Sequence, residues 1–238
     1  MLPSVSCVMP CGYGSRYVPM AIECFRSQTY QGPMELIVLD NNVVGNTIEF
    51  LLPHLDSKYF QCDPMPVGAL RNLGNSCGTG EIIINWDEDD WSSPERVASQ
   101  VARLQESGKA VTGWHSLFYY EIESKQCWRY QFEAPGVPHP PYACGGSQAY
   151  LRTWWEKHNY ESTGIEDFPF QKSARDNRQL DSTDAGSLYV ARAHRDSKCP
   201  IGQYKNHRQF PSVTKAELPP KFFADIGEIV MPVTLAKE

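Results

Sequence analysis

Three aspartates and a glutamate stand together at residues 87–90, between two tryptophans. They follow the apolar run 81–86, which predicts a buried strand. Carboxylates this close repel one another, and they are costly beside a core unless a cation lies among them. Their oxygens suit Mg²⁺ or Mn²⁺, which commonly bridge protein carboxylates and substrate phosphates. The cluster therefore predicts a divalent-metal site, with a solvated acidic turn as the alternative.

Other polar residues occupy positions typical of ligand contacts. Asp40 ends the apolar run 35–39, where it is either a turn residue or an acceptor for a ribose or a base. Arg71 precedes the acidic strand and suits a base or a diphosphate, although a surface arginine is equally compatible. Glu166 and Asp167 stand beside aromatic residues. They are interpreted either as acids at a helix N-terminus or as a general base with a raised pKa.

A glycine pair after the first strand offers a competing interpretation. Gly12 and Gly14 follow residues 5–9, as in a dinucleotide-binding turn, and Asp40 would then meet the ribose. The third glycine of that pattern is replaced by Tyr17. An NAD-type oxidoreductase is the resulting alternative, and it leaves the acidic cluster unexplained.

The elements that must position these residues alternate in type. Strands are predicted at residues 5–9, 35–39 and 81–86, and helices at 18–25 and 68–77. Another helix is predicted between a cap at residues 92–95 and Gly108. This order indicates an α/β fold with a mostly parallel sheet covered by helices on both faces. Ligands bind beyond the carboxyl ends of such strands, where the candidate residues fall.

The second half follows a different pattern. Residues 110–122 and 126–132 predict a hairpin, and residues 134–141 a proline-rich loop. A helix is predicted at residues 149–157 and a late strand at 188–193, with no clear periodicity after residue 211. A single domain is the expectation for 238 residues.

Composition excludes several classes of protein. A net charge of −6 argues against binding nucleic acid. The sequence contains no run of eighteen apolar residues, so no membrane span is predicted. The eight cysteines form no C-x-x-C pair. Without a recognisable signal peptide, a cytoplasmic location is the expectation. Residues 171–215 carry nine Lys or Arg against four Asp, which suits either a solvated surface or an anionic ligand.

Taken together, the predicted strands, the acidic cluster and the other candidate residues resemble those of the family 2 glycosyltransferases, which have the GT-A fold. The similarity is specific over residues 4–104, including the D-x-D motif at 87–89, and looser afterwards. The Q-x-x-R-W pattern of processive synthases is not found, which favours a single-transfer enzyme. The stretches that carry the resemblance are residues 5–10, 27–30, 35–41, 71–75, 80–82, 87–91 and 94–96, then, more loosely, 145–146, 166–167 and 188–194.

The resemblance implies an inverting transfer from a nucleotide-diphosphate sugar, with UDP the expected nucleotide, to an acceptor hydroxyl. It implies that Asp89 and His194 bind Mn²⁺ or Mg²⁺, and that Asp167, helped by Glu166, is the catalytic base. Residues 1–107 would form the nucleotide-sugar half and residues 108–238 the acceptor half, whose basic C-terminal segment would close over the donor. A non-catalytic sugar-nucleotide-binding protein is a further alternative. The residues assigned to the donor are Pro10, Gly12, Asp40, Arg71, Asp87 and Glu88.

Overall fold

The computed structural model describes residues 1–12, 17–41, 56–132, 141–162, 166–195, 197 and 211–229. Four parallel strands form the centre of the sheet, in the order β3-β2-β1-β4. Because these strands run in the same direction, Cys11, Asp40 and Asn85 all end at one edge of the sheet. The elements of this half are β1 (Val5–Cys11), α1 (Val18–Arg26), β2 (Met34–Asp40), β3 (Ser57–Gln61), α2 (Val67–Cys77) and β4 (Ile82–Asn85).

The remaining strands extend the sheet beyond β4 and make it mixed. They are β5 (Trp91–Ser92), β6 (Val111–Glu121), β7 (Cys127–Gln131), β8 (Ala149–Leu151), β9 (Leu180–Asp184), β10 (Tyr189–Ala193) and β11 (Ser212–Val213). Strand β8 is antiparallel to both β4 and β6, and β7 forms the predicted hairpin with β6. Strand β10 is parallel to β6 and antiparallel to β5. It thereby places its C-terminal end beside the acidic residues. The helices of this part are α3 (Arg96–Ser107), α4 (Arg152–Trp155), α5 (Asp167–Asp176) and α6 (Pro220–Ile229).

The near-continuous apolar runs of β1 and β2 are buried on both faces. Cys7 and Leu36 belong to one hydrophobic cluster, whereas the adjacent Val8 and Ile37 belong to another on the opposite face. Successive strand residues point to opposite faces, so this division shows that both faces are covered. The predicted α/β class with a mostly parallel central sheet is confirmed.

The predicted start of the third helix was wrong by a few residues. Ser92 pairs with Tyr189 in the sheet, so α3 begins only at Arg96. Its first turn is capped by the distant Gln28, whose Oε1 accepts a hydrogen bond from the Val97 amide at 2.9 Å. Gly108 ends the helix in the left-handed conformation, with φ of 64°, as predicted.

The helix predicted at residues 149–157 was also wrong in part. Residues 149–151 form a strand between β4 and β6, and only four residues of α4 follow it. Helix α6 was missed, because the residues after 211 show no clear apolar periodicity. Phe222 is fully buried against Trp91 and Tyr120, at ring distances of 5.8 and 5.2 Å.

Some expectations fall on residues that the structure leaves undescribed, namely Gly14, most of the proline-rich loop and Lys198. The boundary between two halves at residue 107 stays a prediction. Among the described residues, no helix has the length and apolarity that crossing a bilayer needs.

A carboxylate network joins three elements of the parallel half. Glu35 on β2 pairs with the Lys58 ammonium at 2.8 Å and accepts hydrogen bonds from the hydroxyls of Ser6 and Thr79 at 2.7 and 2.8 Å. Burial alone would raise the pKa of Glu35, but these partners outweigh it and lower the pKa to about 2. The ionised carboxylate therefore stabilises the fold.

We expect Glu35→Gln to lower the free energy of unfolding at pH 7 by roughly 1–3 kcal/mol. Because the folded-state pKa lies below the usual 4.5, the wild-type contribution is complete above 4.5 and fades as the pH falls towards 2. Denaturant unfolding at several pH values should show that the free energy of unfolding depends less steeply on pH in that window for the variant than for the wild type. Glu156→Gln, at an exposed site, is the control. A wild-type slope in Glu35→Gln would contradict the assignment.

Candidate active site

A cleft of about 510 Å³ opens at the carboxyl ends of the parallel strands. It lies between the acidic residues after β4, the N-termini of α2 and α5, and strand β10. Its polar lining includes Asn41, Arg71, Asp87, Glu88, Asp89, Asp90, Tyr119, Glu166, Asp167, Tyr189, Arg192 and Ser197. The topology thus brings together residues that are distant in the chain.

The carboxylates of Asp87 and Glu88 face different partners. Asp87 Oδ1 accepts a hydrogen bond from Arg71 Nη2 at 2.9 Å, which forms an ion pair. Glu88 is 7% exposed, and its Oε1 accepts a hydrogen bond from the Gly12 amide at 2.8 Å. The Gly12 amide is therefore engaged by protein, in contrast to the phosphate-binding amide that a dinucleotide turn requires.

The predicted metal ligands are neighbours. His194 follows β10, and its Nε2 lies 3.1 Å from Asp89 Oδ2. The imidazole is buried, with its ring 4.4 Å from that of Tyr17, whereas the Asp89 side chain is 27% exposed. The backbone carbonyl of Asp89 accepts a hydrogen bond from Arg192 Nε. The strand pairing of β10 with β5 brings these residues together across about a hundred positions of sequence.

Asp90 serves the architecture of this loop. Its carboxylate accepts hydrogen bonds from the Tyr189 hydroxyl and, at 2.8 Å, from the Arg192 amide. Burial, followed by the neighbouring charges of Asp89 and Asp87, raises the pKa of Asp90 well above its usual range. Its two hydrogen bonds tie the acidic loop to β10.

Arg71 lies at the centre of an ion-pair network. It is 4% exposed, and its Nε donates to Glu166 Oε1 at 3.2 Å while Nη2 pairs with Asp87. Burial opposes its charge, but Asp87 and Glu166 outweigh this effect and raise the pKa of Arg71. Its Nη1 is buried and has no hydrogen-bond partner within the part of the chain that the structure describes. In this structure Arg71 joins the donor side of the cleft to the N-terminus of α5.

Asp167 is the first residue of α5 and borders the same cleft. Burial is the largest cause of its raised pKa, and the neighbouring Glu166 raises it further. Glu166 is the carboxylate that Arg71 binds. Two interpretations offered by the sequence therefore coincide, since the acids begin a helix and Asp167 also has the raised pKa of a candidate base.

A turn of 3-10 helix at Gly145–Ser147, here called the glycine turn, packs against the carboxylates of Asp167 and Asp87. A Cβ atom at Gly145 would lie 2.9 Å from Asp167 Oδ2. One at Gly146 would lie 2.3 Å from Asp87 Oδ2 and 2.6 Å from the Tyr189 hydroxyl. Close approach, rather than an unusual backbone conformation, therefore requires glycine at residue 146.

We expect Gly146→Ala to fold and to lose donor binding and turnover together. The added methyl group would displace Asp87, and a displacement of about 1 Å can cost 10²-fold in rate. Titration calorimetry with UDP and circular dichroism would separate the loss of binding from a loss of folding. Gly186→Ala is unsuitable as a control, because Gly186 has φ of 53°. Gly227→Ala is the control, because a Cβ there would meet no atom of the described residues within 4 Å. Normal affinity in Gly146→Ala would contradict the close packing.

The remaining predicted donor residues differ in access. Pro10 and Gly12 line the cleft, and a Cβ at Gly12 would make only an ordinary contact with Asn41 at 3.7 Å. Asp40 is 1% exposed, accepts a hydrogen bond from the Tyr59 hydroxyl at 2.8 Å and lies outside the lining. Asn41, the next residue, does line the cleft. The structure therefore brings Asn41, not Asp40, to the ligand-accessible surface.

Sequence analysis assigned no individual role to Asn41 or Tyr189, and it indicated Asp90 and residues 145–146 only as members of longer stretches. A pair of adjacent glycines outside a hairpin is a signal of close backbone approach, and it could have indicated the role of residues 145–146. The partner of Asp90 had no such signal, because the strand that carries Tyr189 lies 99 residues away.

The fold is that of the GT-A glycosyltransferases. The model of the family "Glycosyl transferase family 2" matches residues 6–169, which is more than half of the chain. The chain therefore belongs to that family. No curated protein matches its sequence at a significant level.

Solved structures show the same fold at low sequence identity. TarS 1-349 from S. aureus, in complex with UDP-GlcNAc, aligns with a TM-score of 0.62 and 16% identity over 95% of this chain and 65% of its own. The mannosyltransferase PcManGT from Pyrobaculum calidifontis, in complex with GDP-Man and Mn²⁺, has a TM-score of 0.62 and 12% identity over 85% of this chain and 60% of its own. The chain thus spans less than two thirds of the length of these proteins.

Proposed function

We propose that the chain is a metal-dependent, inverting glycosyltransferase that moves a sugar from a nucleotide-diphosphate donor to an acceptor hydroxyl. One observation carries the proposal. Asp89, which contacts the buried His194, and the candidate base Asp167, whose pKa is raised, line the same cleft. A transferase of this kind needs a metal site for the diphosphate of the donor and a base for the acceptor hydroxyl in the same cleft.

The chemistry of Asp89 and His194 fits a divalent ion. A carboxylate oxygen and an imidazole nitrogen that lie side by side could both bind one ion. The observed separation of Nε2 and Oδ2 is 3.1 Å. Carboxylate oxygen with imidazole nitrogen suits Mn²⁺ better than Mg²⁺. No third His, Cys, Asp or Glu completes a cluster within the described residues, so substrate oxygens and water would supply the other positions.

Two arginines supply donors for the diphosphate. Arg192 Nη2 and Arg71 Nη1 are buried, neither has a hydrogen-bond partner among the described residues, and both residues line the cleft. Leaving a buried charged donor unsatisfied is costly, and a phosphate oxygen would satisfy it. Burial lowers the pKa of Arg192, which is a further sign that an anion would stabilise this guanidinium. These contacts would hold the leaving group on the β10 side of the cleft.

In the proposed reaction, each of these side chains has one role. Asp167 accepts the proton of the acceptor hydroxyl as the oxygen attacks the anomeric carbon, and the bond from that carbon to the diphosphate breaks. Arg71 binds Glu166 and Asp87 and holds both carboxylates in place beside the base. Arg192 faces the departing diphosphate. A bound divalent ion would neutralise the charge that develops on the leaving group.

UDP is the proposed nucleotide. The support is the resemblance of residues 4–104 and the UDP-GlcNAc complex of TarS 1-349, whereas PcManGT was solved with GDP-Man. The proposed alternative of an NAD enzyme loses its basis, because Glu88 occupies the amide of Gly12 and the chain belongs to a glycosyltransferase family. A cytoplasmic location and the absence of nucleic-acid binding remain proposals.

Thermal-shift and calorimetric measurements test the proposed donor. We expect UDP with Mn²⁺ to stabilise the protein more than UDP with a chelator, since a ligand that binds only the folded state raises its stability. GDP with Mn²⁺ tests the nucleotide, and NAD tests the alternative enzyme class. Stabilisation by NAD, with no response to either nucleoside diphosphate and Mn²⁺, would overturn the proposal.

A further inference from the structure

Arg96 is a buried arginine just behind the cleft. It begins α3 and is 1% exposed. Its guanidinium carbon lies 4.8 Å from the ring centre of Trp86, 5.4 Å from that of Trp114 and 4.8 Å from that of Tyr189. Three aromatic faces therefore compensate for part of the lost hydration of the cation.

The hydrogen bonds of Arg96 go to oxygen atoms without a formal charge. Nη2 donates to the carbonyls of Asn85 and Gly146, both at 2.7 Å. Nη1 donates to Ser92 Oγ at 2.8 Å, and Nε to Gln100 Oε1 at 3.2 Å. Asn85 is the last residue of β4, two residues before Asp87. One planar group therefore joins the stem of the acidic loop to the glycine turn.

Each carbonyl of the glycine turn is held from behind by a buried side chain. Asn85 Nδ2 donates to the Gly145 carbonyl at 2.8 Å, and Gln100 Nε2 donates to the Ser147 carbonyl at 2.6 Å. Arg96 holds the carbonyl between them and also binds Gln100. A planar guanidinium loses less freedom in such contacts than a flexible ammonium would. The position of the turn thus depends on a set of bonds in which Arg96 is central.

We propose that Arg96 is a positioning residue for the transfer reaction. It fixes the glycine turn, against whose two glycines Asp167 and Asp87 pack, and so sets the separation of base and donor site. It acts through the turn and does not line the cleft. The effect on turnover rests on the proposed function, whereas the hold on the turn does not.

The test compares Arg96→Met and Arg96→Lys with a matched control, Arg152→Met. Arg152 also donates to two backbone carbonyls, those of Gly80 and Asn75 at 2.6 and 2.7 Å, and its guanidinium carbon lies 6.0 Å from the ring centre of Trp155. It does not line the cleft. Hydrogen exchange by mass spectrometry would follow residues 141–148, and steady-state kinetics would give kcat and the donor KM at a temperature where all variants are folded.

We expect faster exchange in residues 141–148 and a kcat about 10- to 100-fold lower in Arg96→Met, with a donor KM within about threefold of wild type. Arg96→Lys should recover part of the slow exchange and part of kcat. Arg152→Met should keep both the wild-type kcat and the wild-type exchange of the turn. Wild-type exchange in folded Arg96→Met would overturn the proposal, as would wild-type exchange in Arg96→Lys if Arg96→Met does not fold. An equal loss of kcat in Arg152→Met would do so as well. If the wild type transfers no sugar, the proposed function fails, and the exchange comparison still decides whether Arg96 holds the turn.

Discussion

Replacing Asp167 with asparagine is expected to lower kcat by roughly 10²–10⁴ while donor affinity stays near that of the wild type. The amide is almost the same size and cannot accept the proton of the acceptor hydroxyl. Asp167 lines the cleft but makes no ion pair with Arg71, which is taken by Glu166 and Asp87. Transfer rates with a saturating donor, together with calorimetry of UDP and Mn²⁺, measure the two quantities.

Asp176→Asn is the matched control, since Asp176 ends the same helix and pairs with Lys172 at the surface. We expect it to keep the wild-type rate. The pH profile adds a second check. Because burial and Glu166 raise the pKa of Asp167, the wild-type rate should rise with pH through a pKa above the usual aspartate range. A wild-type rate in Asp167→Asn would assign the proton transfer to another residue.

Replacing Asp89 with alanine is expected to abolish the gain in UDP affinity that Mn²⁺ gives. Losing a residue that only orients a metal ligand typically costs 10- to 100-fold in metal affinity, so losing the ligand itself should cost at least about as much. Asp89 Oδ2 faces His194 Nε2, so His194→Ala should also weaken binding of Mn²⁺ with UDP more than binding of UDP alone. Calorimetry with and without Mn²⁺ gives both affinities.

Asp87→Ala separates the metal from the donor contacts. Its carboxylate pairs with Arg71, so we expect weaker donor binding with a preserved response to Mn²⁺. If Asp89→Ala keeps the wild-type response to Mn²⁺, the metal assignment is wrong. If His194→Ala loses affinity equally with and without Mn²⁺, His194 only packs against Tyr17.

The parallel half of the fold could be predicted because its signals are local. Buried strands such as β2 are continuous apolar runs, and Gly108 marks the end of α3 without help from other elements. The acidic loop was also predictable, since four carboxylates directly after an apolar strand are unusual. Its edge of the sheet then followed from the parallel order of the strands.

The second half depended on tertiary pairing that no local pattern reports. Residues 149–151 have helical spacing with their successors, yet β8 fills the space between β4 and β6. Arg71 was predicted to contact the nucleotide, and its ion pair with Glu166 joins residues 95 positions apart. Donor contacts at Asp40, whose carboxylate is buried, and closure of the C-terminal segment over the donor stay predictions.

The most direct test of the proposed function is whether the purified chain cleaves a nucleotide sugar. Mass spectrometry would follow the release of UDP or GDP from a panel of nucleotide sugars, with Mn²⁺ or with a chelator, for the wild type and for Asp167→Asn. We expect release by the wild type that requires Mn²⁺ and that falls by roughly 10²–10⁴ in the variant while the donor still binds. Binding of UDP with Mn²⁺, but no release from any donor with acceptors supplied, would contradict it and indicate a sugar-nucleotide-binding protein without turnover.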